Sequence, residues 1–145
     1  MIDSTAGVDP KRPLDNQQTM KKNHIQIGVG LIASISIFWL LDRFIPDAAT
    51  GLTIALARMS LLAFIAFAIG GLIATNDFVV PAAVLATVAW LAVVGYSMYL
   101  GSSIGQPLWD YVVWNLPSSV LIPAVAIGAK IGTIAAAGLA SSKTA

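Results

Sequence analysis

The sequence contains no cysteine and no glutamate, a single histidine, and few charges of either sign. Without cysteine there are no disulfides, no thiolate nucleophile and no cysteine-ligated metal. All seven acidic residues are aspartates, spread singly from Asp3 to Asp110, so spacing supports no pair of carboxylates for acid/base catalysis. His24 has no second metal ligand at a matching spacing. Gly28-Val29-Gly30 lacks the third glycine and the strand–helix context of a dinucleotide fingerprint. A net charge of +1 provides no field for nucleic acid. These absences point to a chain that is not an enzyme, uses no cofactor and binds no nucleic acid.

Charged residues make up 10% of the 145 positions and hydrophobic ones 57%. A soluble domain carries roughly 25% charged residues. A water-facing surface cannot be covered with so little charge, so the solvent for most of the chain is lipid.

Four apolar runs are present. Residues 1–24 are polar, with Pro10, Pro13 and mixed charges, and read as a cytoplasmic tail that buries too little to order itself. The first run covers 25–41 and closes at Asp42-Arg43. At ~1.5 Å per residue it just crosses a ~30 Å core. Lys21 and Lys22 ahead of it resemble the start of a signal peptide. The run is long for that role, however, and Pro46-Asp47-Ala48-Ala49 is a poor cleavage site. The second run is 52–75, interrupted only by Arg58, and the third is 78–100, with no charge. Asp77 is placed to cap the third helix, and Pro81 falls in its first turn. The fourth span has two readings, 111–129 with Lys130 at the far interface, or 118–140 with Lys130 inside. Helical side chains lean toward their own N-terminus. In the second reading Lys130 would lean toward the bilayer centre, which favours the first. Residues 141–145 form a short tail.

These spans predict an all-α integral membrane protein, an up-down-up-down bundle of four transmembrane helices. Positive residues set orientation. Lys11, Arg12, Lys21, Lys22, Lys130 and Lys143 fall on one side, and only Arg43 and Arg58 on the other. The expected topology is multi-pass in the cell (inner) membrane with both termini cytoplasmic. Trp39, Tyr96, Tyr99, Trp109, Tyr111 and Trp114 cluster at the outer ends, where amphipathic rings anchor depth.

The candidate polar site consists of Arg58, Asn115, Ser118 and Ser119. Arg58 lies ~9 Å into its helix, shallow enough to snorkel outward or to pair with Asp47 or Asp110. A charge within a span is otherwise a functional candidate. In Asn115-Leu116-Pro117-Ser118-Ser119, with Pro123 beyond, each proline deprives a carbonyl four residues back. Val113 and Ser119 lose their donors, and Asn115, Ser118 and Ser119 are placed to replace them. Such breaks line transporter sites but also occur as plain kinks. A second candidate is the small-residue seam Ala124, Gly128, Gly132 and Ala136, with a weaker pattern at Ala66, Gly70 and Ala74.

Two functions fit. One is a non-catalytic accessory, assembly or regulatory subunit of a larger membrane complex. The other is a small oligomeric transporter, channel or lipid-linked substrate translocator, for which Arg58, Asn115, Ser118 and Ser119 would have to line one wet cavity. The partners expected are the lipid bilayer and other membrane-protein subunits or further copies of the chain.

Overall fold

Each apolar run becomes a helix, and the last is broken once. The computed structural model describes residues 12–45, 51–74, 77–102, 105 and 107–142, with side chains from Thr19 onward. The helices are α1 (Arg12–Phe44), α2 (Leu52–Ala74), α3 (Val79–Ser102), α4 (Leu108–Asn115) and α5 (Leu121–Ser142). A 3₁₀ turn, Leu116–Val120, joins α4 to α5. Four of these stretches are long and apolar enough to cross a membrane: Thr19–Phe44, α2, α3 and Leu108–Ser142. The chain is a small multi-pass membrane protein.

Two element boundaries differ from the sequence reading. α1 begins at Arg12, inside the segment read as a tail. Gln17, Gln18, Met20, Lys21 and Lys22 are good helix formers, and Pro13 sits in the first turn, where its missing N–H is harmless. Residues 1–11 and 143–145 lie outside the described residues. Asp77 is not the cap of α3. It adopts the left-handed conformation, φ 57°, and forms the turn. Phe78 stands at the helix boundary instead, its carbonyl accepting from the Ala82 N–H at 3.1 Å.

The helix directions alternate. Arg58 of α2 meets Asp42 near the end of α1, while Gly30 near its apolar start meets Gly70 and Ala74, so α1 and α2 are antiparallel. α2 and α5 are parallel: Gly128 lies on the Phe64 carbonyl and Gly132 on that of Ala68. The most extensive contact is α2 with α5, followed by α1 with α2 and α3 with α5. α3 packs on α5 and α4 and only lightly on α1. Sequential neighbours α2 and α3 are therefore not packed neighbours.

The α2–α5 contacts fix the register of the two helices. Gly128 lies against Phe64, Gly132 against Ala68 and Gly71, and Gly71 against Ala129 and Thr133, so Lys130 stands level with the 66–71 stretch of α2. The candidate span Leu108–Ser142 contains both readings of the fourth span.

The core is built from small residues and two rings. Ala63, Ala66, Ala74, Ala82 and Ala129 are buried with Phe67, Phe78 and Val125. The Phe67 and Phe78 rings stack with centroids 6.4 Å apart. Phe78 is completely buried and reaches Gly30 and Gly70, wedging the start of α3 against the α1–α2 pair. Large apolar residues face outward instead: Ile32 is 67% exposed and Val80 70%. Lipid makes this arrangement stable, where water would drive such faces together.

Candidate functional site

Arg58 is held by the end of α1. Its Nη1 lies 3.0 Å from Asp42 Oδ1. Its Nη2 donates to the Asp42 carbonyl at 3.1 Å and also to the Ile45 carbonyl. The last carbonyls of a helix lack intrahelical donors and carry the negative end of its dipole. The last regular bond here is Ile45 N–H to Leu41 O, 2.9 Å. The next donor in register would be the amide of residue 46, and Pro46 has none. The guanidinium supplies that missing donor, closing α1 and tying it to α2. Its Nε is buried with no hydrogen-bond partner among the described residues. Among the described residues the ion-pair partner is therefore Asp42, not Asp110. Asp110 is exposed on α4, and Asp47 lies outside the described residues.

The proline break is satisfied chiefly by backbone. The Leu116 N–H donates to the Val113 carbonyl, which Pro117 deprives, and the Leu121 N–H donates to the carbonyls of Ser118 and Ser119, the latter deprived by Pro123. Tightening to 3₁₀ geometry thus does what had been expected of side chains. Asn115 Nδ2 donates to the Tyr111 carbonyl at 2.8 Å, and Ser118 Oγ to the Asn115 carbonyl at 2.6 Å. Trp90 of α3 completes the knot: its Nε1 lies 3.1 Å from both the Asn115 carbonyl and Ser118 Oγ. The sequence reading did not single out Trp90. The signal available was a lone tryptophan in the middle of an apolar span, where an indole N–H needs a partner.

The four polar candidates do not converge. Asn115 lines an open-sided cavity of about 570 Å³ with Ser97, Gly101, Asp110, Tyr111 and Trp114, between the C-terminal end of α3 and α4. Ser118 borders a separate, almost wholly apolar cleft of about 450 Å³, flanked by Phe38, Phe67, Leu85, Trp90 and Val125. Arg58 and Ser119 line neither. Of Trp39, Tyr96, Tyr99, Trp109, Tyr111 and Trp114, five are exposed and Tyr111 packs on Gly101.

The small-residue seam lies inside the chain. Gly128 and Gly132 are buried, and Ala124 and Ala136 are half-buried at its edges. A Cβ on either glycine would strike a carbonyl oxygen of α2, and one on Gly71 would stand 2.5 Å from the Ala129 carbonyl. The weaker pattern is also buried: Gly70 and Ala74 meet α1 at Gly30, beside Ser34, whose Oγ donates to the Gly30 carbonyl at 2.8 Å. Comparison with known protein families, curated proteins and solved structures finds no match to this chain.

Proposed function

We propose that this protein is a non-catalytic membrane subunit that assembles with, or regulates, a larger membrane complex. The observation that supports this most is the separation of the polar groups. Arg58 closes α1, Asn115 and Ser118 tie the break to Trp90, and no described cavity joins them. A solute path needs convergent polar groups along one lining. The transporter reading required such a lining and loses its main support. What the chain presents outward is apolar helix surface, the kind of face on which membrane subunits pack.

Orientation belongs to the same proposal. With Lys130 within the span, Lys11, Arg12, Lys21, Lys22 and Lys143 still outnumber Arg43 and Arg58. Both termini are then cytoplasmic in the cell (inner) membrane. Reporter fusions at residues 1 and 145 should both report the cytoplasmic side; an external signal from either end overturns this topology. For function, the test is purification in mild detergent with quantitation of what co-elutes. A stoichiometric membrane-protein partner is expected. A homogeneous lone protein that moves a solute across proteoliposomes would replace this reading with the transporter one.

A further inference from the structure

Lys130 is an exposed cation within a candidate membrane span. The α2–α5 contacts put it level with the 66–71 stretch of α2, and α5 continues without a charge through residues 131–140. Those ten residues rise ~15 Å along the axis, farther than a lysine side chain reaches. Its lean is also unfavourable, because α5 side chains point toward the helix N-terminus and so toward the bilayer centre. No ion pair or side-chain hydrogen bond of Lys130 occurs among the described residues. Around it, Ile127, Ile131 and Ile134 are exposed, so the charge stands alone on an apolar stripe facing away from α2. A lysine at this depth is costly to insert, and such residues pair or line wet interiors. Lys130 borders none of the described cavities.

We propose that the Lys130 face of α5 is the docking surface for a transmembrane helix of another protein, one carrying an aspartate or glutamate at mid-bilayer depth. This deepens the accessory-subunit reading and rests on it. Charge complementarity selects the partner's chemistry. An acid opposite Lys130 neutralises it in a medium where neither charge is solvated, and the isoleucines flanking it supply packing surface. A second copy of this chain does not fit. All seven of its aspartates lie outside the apolar runs, so none can reach this depth. Lipid phosphate does not fit either, since headgroups sit at the bilayer surface.

The test uses the full-length protein reconstituted in phosphatidylcholine vesicles, with labelled polyleucine helices as probes. One probe carries a central glutamate, one the same glutamate displaced to the helix end, and one leucine throughout. Energy transfer should show the central-glutamate helix binding at least tenfold more tightly than the other two. Lys130→Met should abolish that preference while leaving helicity and elution volume unchanged, and Lys130→Arg should largely retain it. Equal binding of all three probes, or an unchanged preference in Lys130→Met, overturns the proposal. So does a shift of the protein's own oligomeric state in Lys130→Met without any probe, which would make a second copy the occupant. If the probes fail while a native subunit still co-purifies with both wild type and Lys130→Met, this docking face is wrong and the accessory-subunit reading stands. If the central-glutamate preference is seen and Lys130→Met loses both it and the native subunit, both hold.

Discussion

The two sides of this bundle are held by different physics. On the α2 side, backbone meets backbone: Gly30, Gly70, Gly71, Gly128 and Gly132 remove the Cβ atoms that would keep helices apart. On the α3 side, the helices stand farther off, leave two cavities, and are joined by the Trp90 indole, the Phe78 wedge and the Tyr111 ring on Gly101. Lipid offers no hydrophobic force to bring helices together, so association depends on dispersion contact or on polar bonds. The first needs glycine along a whole stripe. The second needs one well-placed donor and leaves room around it.

The sharpest break of this contrast is Gly132→Leu. Its side chain would meet the Ala68 carbonyl and the Gly71 backbone, neither of which can yield. A destabilisation of about 3 kcal/mol is expected, the upper range for overpacking. Ile131→Leu, at a half-exposed neighbour, should change stability by well under that. Unfolding in graded detergent mixtures, followed by circular dichroism, compares the two. Equal behaviour would mean that the seam does not hold the bundle.

Next in size is Arg58→Lys. An ammonium cannot reproduce the forked contact with the Asp42 carboxylate and two carbonyls. Losing carbonyl bonds should cost about 1–2 kcal/mol, mostly from the unpaired end of α1. Asp42→Asn should cost less, because Asp42 is 40% exposed and its ion pair is screened. If Asp42→Asn proves the worse of the two, the ion pair and not the helix closure is what Arg58 provides.

Trp90→Phe probes the looser side. It deletes one donor shared by Asn115 and Ser118 and keeps most of the ring. Interhelical bonds in membranes average about 0.6 kcal/mol, so a loss near that value is expected from the same unfolding assay. A loss as large as that of Gly132→Leu would erase the distinction between the two sides. The smallest effect has the opposite sign. Nothing stands within 4 Å of a Cβ at Gly95 in α3, so Gly95→Ala should stabilise the helix by about 0.5–1 kcal/mol.

Periodicity and composition alone specified four helices in lipid, their alternating directions and the break at Pro117. Each depends on contacts within about four residues, or on the solvent each residue prefers. The Gly128–Gly132 stripe was visible for the same reason, because spacing places small residues on one helix face. What faces that stripe was not visible. That α5 packs against α2, that α3 packs on α5 and α4 rather than on α2, and that Arg58 finds Asp42 are matters of which neighbour is chosen, and a four-residue pattern carries no address. Lys130 shows the limit most clearly. The segment that carries it shows only a charge followed by more apolar helix. That it stands beside the 66–71 stretch of α2, on a face turned away from that helix, depends on which neighbour α5 packs against, and the bundle as a whole decides that.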